Sequence, residues 1–139
     1  MVRGVALGRS TRPTLPDVDL VHLELADDPT VDITTTGRRS GLARRMEIWM
    51  LDVDGRFFIT GTTGRRDWLA NLVADPSLIV HLKRLAHVDL AARARLVDDP
   101  VTRRAVLEHL SATWYLTQEP LDVLVETAPM VEVVFDDPA

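Results

Sequence analysis

The dipeptide Asp54-Gly55 constrains the fold of this chain more than any other pair of residues. A two-residue hairpin loop needs positive φ at its central positions, and Gly adopts that conformation without steric cost. Arg44 to Val53 precedes the dipeptide and Arg56 to Thr60 follows it, so the two runs read as antiparallel neighbours. The longer run has apolar residues at both parities and is predicted to be one long, largely buried strand. From Val88 to Leu96, apolar Val88, Leu90, Ala92, Ala94 and Leu96 alternate with Asp89, Arg93 and Arg95. That period of two predicts a strand with one face in solvent.

The rest of the chain fits around these strands. Residues 1–16 have no periodicity and read as a flexible or surface-hugging arm, leaving 17–139 as one domain. Asp17 to Leu25 is apolar enough to be ordered, but its period is ambiguous. Val31 to Thr36 reads as a strand that Gly37 ends. A polar loop, Gly61 to Arg66, feeds a short helix over Asp67 to Ala74, which Asp75-Pro76 stops. Trp68, Leu69, Leu72 and Val73 are expected on its packed side. Leu78 to Lys83 is a further strand. Asp99-Pro100 is an N-cap and first-turn pair, opening a helix predicted to run to about Trp114. Val131 to Phe135 closes the chain as a strand. Two hairpins and few parallel crossovers imply an α+β antiparallel barrel with two or three helices.

At 139 residues the chain has the size of one domain, and its 27% charged residues are ordinary for a globular protein. It has no cysteine, which removes disulfides, thiolate metal sites and cysteine nucleophiles, and fits a cytoplasmic location. No apolar run approaches the roughly 20 residues that cross a bilayer, so no integral membrane segment is expected. The formal net charge of −5 argues against nucleic acid as a partner. Its distribution is uneven: seven arginines fall between Arg38 and Arg66, while the acids crowd into Asp17–Asp32, Asp98–Asp99 and the C-terminal part. A basic centre in an acidic protein suits a small anionic ligand, although a solvated basic surface has the same composition.

Thr34-Thr35-Thr36-Gly37-Arg38-Arg39-Ser40-Gly41 concentrates that potential. Two glycines bracket a loop that can expose backbone N–H groups beside hydroxyls and guanidinium forks, all donors to phosphate or carboxylate. It is not a P-loop, because the Gly-Lys-Ser/Thr ending is missing. Thr35, Thr36, Gly37, Arg38, Ser40 and Gly41, then Gly61 to Gly64, then Trp68, Asn71, Leu72, Ala74 and Pro76 together resemble the deazaflavin-dependent nitroreductase family. Members of that family are split β-barrels of the FMN-binding type, related to pyridoxamine phosphate oxidases. The similarity runs roughly from Val31 to Trp114.

The resemblance implies reduced coenzyme F-420 as hydride donor to a small-molecule substrate such as a nitro compound, quinone or activated alkene. It implies that Arg38, Arg39, Ser40 and Gly41 bind the phosphate side and that Arg44 supports the anionic tail. Thr62, Thr63 and Gly64 would lie against the ring, with Arg65 or Arg66 near the phosphate. Trp68 and Asn71 would brace the loop through the short helix. Such a cofactor carries the hydride chemistry itself, so no catalytic dyad is required. The chain departs from the family pattern at Ala43, where a proline is usual, and in its shorter Thr62–Arg66 loop. FMN or FAD in the same barrel, or a non-enzymatic barrel holding a fatty acid or other small ligand, are the alternative readings. A homodimer is compatible with each.

The other candidates are single residues. Tyr115 is the one tyrosine and the candidate proton donor. Trp49, Trp68 and Trp114 read as core. The four histidines have no metal-ligand spacing. Glu47 is expected to pair with Arg45 or Arg56.

Overall fold

The computed structural model describes residues 17–136; the arm read at 1–16 lies outside them. The chain runs through α1 (Asp17–Asp27), β1 (Thr30–Thr36), β2 (Ala43–Trp49), β3 (Leu51–Val53), β4 (Arg56–Thr60), α2 (Asp67–Ala74), β5 (Ser77–Leu82) and β6 (Val88–Leu96). Then follow α3 (Pro100–Glu108), a 3-10 turn (Leu110–Ala112), α4 (Thr113–Leu116), α5 (Leu121–Thr127) and β7 (Met130–Phe135). All pairings in the seven-stranded sheet are antiparallel, in the order β2-β1-β5-β6-β7-β4-β3.

The two ends of this order, β2 and β3, are consecutive in sequence through Met50. The sheet therefore curls until one chain segment serves both edges. The long strand read over Arg44–Val53 is divided at Met50, its first part pairing with β1 and its last with β4. It is also not uniformly buried: Ala43 to Glu47 are exposed, whereas Met50, Leu51 and Val53 are buried. Periodicity could not reveal this, because apolar residues at both parities are equally suited to a strand whose two halves face different surroundings. The hairpin turn itself is as expected, with Asp54 at φ 54° and Gly55 at φ 91°.

Two cores follow from strand alternation. Val31 and Ile33 of β1, Phe57 and Ile59 of β4, Val80 of β5 and Val131 and Val133 of β7 point into the barrel. Val21 of α1 and Trp68 and Leu72 of α2 pack against this interior. Opposite-parity residues Leu51, Val53, Phe58 and Met130 form a second core on the outside, covered by α3, α4 and α5 through Val106, Leu107, Tyr115 and Leu124.

Five α-helices occur among the described residues, where the sequence reads as two or three. The ambiguous Asp17–Leu25 segment is α1, whose buried Glu24 accepts backbone N–H bonds from Lys83, Arg84 and Leu85 at 3.0–3.2 Å. Asp99 caps α3 as its sequence predicts, accepting from the backbone of Val101 and Thr102. The helix stops at Glu108, not near Trp114, because His109 turns extended and caps the 3-10 turn. Buried Arg103 ties α3 to α5, donating to the carbonyls of Val97, Val125 and Ala128.

Candidate functional site

The loop between β1 and β2 is built by two glycines with different roles. Gly41 takes φ 72°, closing the turn so that its N–H reaches the Gly37 carbonyl at 2.8 Å. Gly37 is required for space: a Cβ there would lie 2.7 Å from Ser40 Oγ and 3.3 Å from Arg44 Nε. The missing side chain lets a hydroxyl and a guanidinium converge on one small cradle. Ser40 Oγ also accepts the Leu42 N–H at 3.1 Å, which fixes the turn.

This cradle opens into a cleft of about 430 Å3 lined by Thr35, Gly37, Arg38, Arg39, Ser40, Arg44, Met46, Asp67, Trp68 and Asn71. Three elements meet there: the end of β1, the loop with β2, and the first turns of α2. The α2 N-terminus has no side-chain cap and borders the cleft through Asp67 and Trp68, the Asp67 carboxylate offsetting part of its positive end. Asn71, 5% exposed, joins the elements. Its Oδ1 accepts the Arg38 backbone N–H at 3.1 Å and the Arg38 guanidinium at 2.9 Å, while its Nδ2 donates to Thr35 at 3.4 Å.

The seven central arginines divide into those with a carboxylate partner and those without one among the described residues. Arg45 pairs with Asp32 at 2.9 Å, and Arg56 with Glu132 at 2.8 Å. Glu47 pairs with Lys83 at 2.8 Å, not with Arg45 or Arg56. The register explains this correction: Asp32 stands directly opposite Glu47 on β1, and Lys83 bridges both carboxylates. Arg38 makes one loose contact of 3.4 Å with exposed Asp67. Arg39, Arg44, Arg65 and Arg66 have no carboxylate partner among the described residues. Two of these, Arg39 and Arg44, line the cleft.

Of the residues singled out in sequence, Arg38, Arg39, Ser40, Arg44, Trp68 and Asn71 surround one cleft. Gly41 shapes their loop from outside it. Thr62, Thr63, Gly64, Arg65 and Arg66 form the adjoining loop that leads into α2. There Arg66 folds back onto Thr62, at 2.9 Å to its carbonyl and 3.0 Å to its hydroxyl. The backbone of Thr63 donates to Glu119 at 2.7 Å, which anchors the loop to the C-terminal helices. Met46 and Asp67 complete the lining without having been singled out. Strand alternation from Arg44 gives Met46, but nothing in the local pattern marks Asp67.

Tyr115 lies elsewhere. It is 4% exposed in the outer core, edge-on to Trp49 and Trp114 at 6.2 and 5.3 Å between ring centres. Trp49 ends β2, five residues from Arg44, or about 17 Å along a strand. Burial pushes the Tyr115 hydroxyl above its usual value, so the phenol stays protonated at neutral pH. Trp68 is buried as expected, whereas Trp49 and Trp114 are 37% and 48% exposed. The histidines pair individually, His22 with Asp52 and His81 with Thr34 and Asp89. No group of three potential metal ligands occurs among the described residues. No helix among them is long and apolar enough to cross a membrane.

Residues 18–127 match the F420H(2)-dependent quinone reductase family. The chain belongs to that family. It is thus an F-420-dependent oxidoreductase. Solved structures share the reductase's split-barrel fold at low identity. A conserved hypothetical protein from Mycobacterium tuberculosis is 15% identical with TM-score 0.65, covering 94% of this chain and 87% of its own. A Clostridium acetobutylicum protein of the pyridoxinephosphate oxidase family is 12% identical with TM-score 0.62, covering 85% and 82%. An F420-H2 dependent reductase is 20% identical with TM-score 0.55, covering 76% and 94%. Comparison with curated proteins finds no match.

Proposed function

We propose that the Arg38–Arg44 cleft holds the phosphate and anionic tail of reduced F-420, and that the acceptor is a quinone. The observation that carries this reading is the convergence of Ser40 and Arg44 on Gly37 beside Arg39, with neither arginine neutralised by a carboxylate among the described residues. Arg38 has a 3.4 Å contact with Asp67, but the Arg39 and Arg44 guanidiniums in the same concave site attract phosphate or carboxylate, and bidentate forks orient it. When bound, the deazaflavin supplies a hydride.

The residues of the chain have the remaining tasks. Arg38, held by Asn71, and Arg39, Ser40 and Arg44 grip the anion, aided by the positive end of α2. Trp68 gives the cleft an apolar wall that excludes water. Thr62 to Arg66 is the second cofactor-contacting loop, with Gly64 at φ 136° in a conformation that side chains rarely adopt. Tyr115, beside Trp49 and Trp114 at the opposite end of β2 from Arg44, is the proton donor of this reading, which sets the acceptor at that end of the site. The dimer belongs to the same reading, since one solved relative, 18% identical with TM-score 0.54, is a domain-swapped dimer.

Titration of the purified protein with reduced F-420, followed by turnover with a soluble quinone, tests the proposal. Saturable fluorescence change and quinone-dependent cofactor oxidation are expected. No binding overturns it. Turnover with a nitro compound or activated alkene but no quinone overturns the acceptor alone. The pyridoxinephosphate oxidase-type relative gives a second reading, FMN or FAD in the same barrel. A flavin spectrum in freshly purified protein, together with no F-420 binding, decides for it.

A further inference from the structure

Strand β2 is the exposed margin of the sheet. Its residues Ala43 to Glu47 are exposed on both faces, and no strand pairs with its outer edge among the described residues. Such an edge is a template for another strand unless it is charged, twisted or covered. The orientation of its backbone groups follows from the ladder. The Gly37 N–H bonds the Leu42 carbonyl at 2.8 Å, and the Met50 N–H bonds the Pro29 carbonyl at 2.9 Å. With Thr35 opposite Arg44 and Ile33 opposite Met46, the even residues 44, 46 and 48 direct their backbone groups to β1. Ala43, Arg45, Glu47 and Trp49 therefore present theirs outward.

We infer that the outer edge of β2 pairs antiparallel with β2 of a second copy of this chain, about a two-fold axis through Met46. The sequence of the strand is self-complementary in that register. Arg45 stands opposite the second copy's Glu47, and Ala43 opposite its Trp49, so opposite charges meet and a small residue faces a large one. Sliding by two residues, as hydrogen bonding requires, sets Arg45 against its own copy in one direction and Glu47 against its own copy in the other. Both alternatives oppose like charges, so charge selects one register.

The intramolecular pairs do not block this arrangement. Arg45 and Glu47 bind Asp32 and Lys83, yet their side chains remain 54% and 66% exposed. The even residues of the edge, Arg44 and Met46, line the cleft. Pairing there would set Met46 beside its own copy and extend the cleft wall with the second copy's strand. The inference concerns the edge alone and stands whether or not the cleft holds F-420.

Met46→Cys tests the register directly, because the natural chain has no cysteine and any disulfide must join the introduced ones. On the two-fold axis the two positions form a non-hydrogen-bonded pair with Cα atoms about 4.5 Å apart, within disulfide range. Sedimentation of the wild-type protein should give a dimer, and oxidation of the variant a covalent dimer. Arg45→Glu alone and Glu47→Arg alone should each weaken dimerisation by at least about tenfold, and the double exchange should restore it. Far-UV circular dichroism separates these effects from unfolding. A monomeric wild-type protein overturns the inference. So does a dimer that neither cross-links at position 46 nor responds to the exchanges.

Discussion

Asn71 accepts two hydrogen bonds from Arg38 through one carbonyl oxygen, from the backbone N–H at 3.1 Å and from the guanidinium at 2.9 Å. A single buried side chain thereby sets both the course of the β1–β2 loop and the direction of its first arginine. Because Asn71 sits on α2, the loop and the helix are positioned as one unit on either side of the cleft.

Asn71→Ala should therefore act on stability and ligand binding together. It removes the partner of a part-buried N–H and of Thr35, a loss of about 1–3 kcal/mol. Thermal unfolding should shift down by several degrees, and affinity for reduced F-420 should fall about tenfold. Asn71→Asp retains the acceptor oxygen and should recover most of the stability, while its charge beside Arg38 should keep binding of the anionic cofactor weakened. A variant with lowered melting temperature and wild-type affinity would show that the Arg38 orientation is irrelevant to the ligand.

Arg39 and Arg44 lack carboxylate partners among the described residues, so removing either costs the fold little. Arg39→Ala and Arg44→Ala should leave thermal unfolding within about 0.5 kcal/mol of wild type. Each should weaken reduced F-420 binding by roughly tenfold at low salt, with a smaller deficit at high ionic strength. Titrations at two salt concentrations, alongside thermal melts, check both halves of the prediction. A large stability loss would mean that the guanidiniums are structural.

Much of this arrangement could be read from residue patterns, and the failures have local causes. The Asp54-Gly55 turn, the α2 boundaries and the β6 alternation are set by short-range sterics and by contacts with a single face. The break at Met50 is not, since it depends on which neighbouring strand each half of a residue run meets. Proximity in sequence points Glu47 toward an arginine, while its partner Lys83 arrives from the end of β5 across β1. In the cleft, the Gly37–Ser40 cradle follows from a contiguous motif. The tie from Arg38 to Asn71 spans 33 positions and was legible only through family resemblance.

Tyr115→Phe separates chemistry from packing. The ring contacts with Trp49 and Trp114 survive the substitution, and only the hydroxyl is lost. If Tyr115 donates the proton, quinone-dependent turnover should fall on the order of a hundredfold, with affinity for reduced F-420 unchanged. Stopped-flow oxidation of the bound cofactor measures the first, and equilibrium titration the second. Turnover within about twofold of wild type would assign the residue to the aromatic cluster alone.

Glu132 provides a prediction about pH. Its carboxylate accepts Arg56 Nε and Nη2 at 2.9 and 2.8 Å and Arg95 Nη2 at 3.1 Å, joining β4, β7 and β6. The hydrogen bonds from Arg56 lower its pKa below the ordinary 4.5, against the opposing effect of burial, and Arg95 lowers it further. A carboxyl whose pKa is lower when folded binds more protons when unfolded, so its contribution is complete above the unfolded value. That contribution is lost as pH falls through the folded value. Both arginines are more than half exposed, which limits the contribution to about 1–2 kcal/mol. Glu132→Gln should therefore unfold more easily than wild type at pH 7. The gap should narrow as pH falls below the ordinary carboxylate range and close once Glu132 is protonated in both states. Urea unfolding of both proteins across pH 3–7 measures it, and a gap of constant size would mean that the loss comes from packing, not from charge.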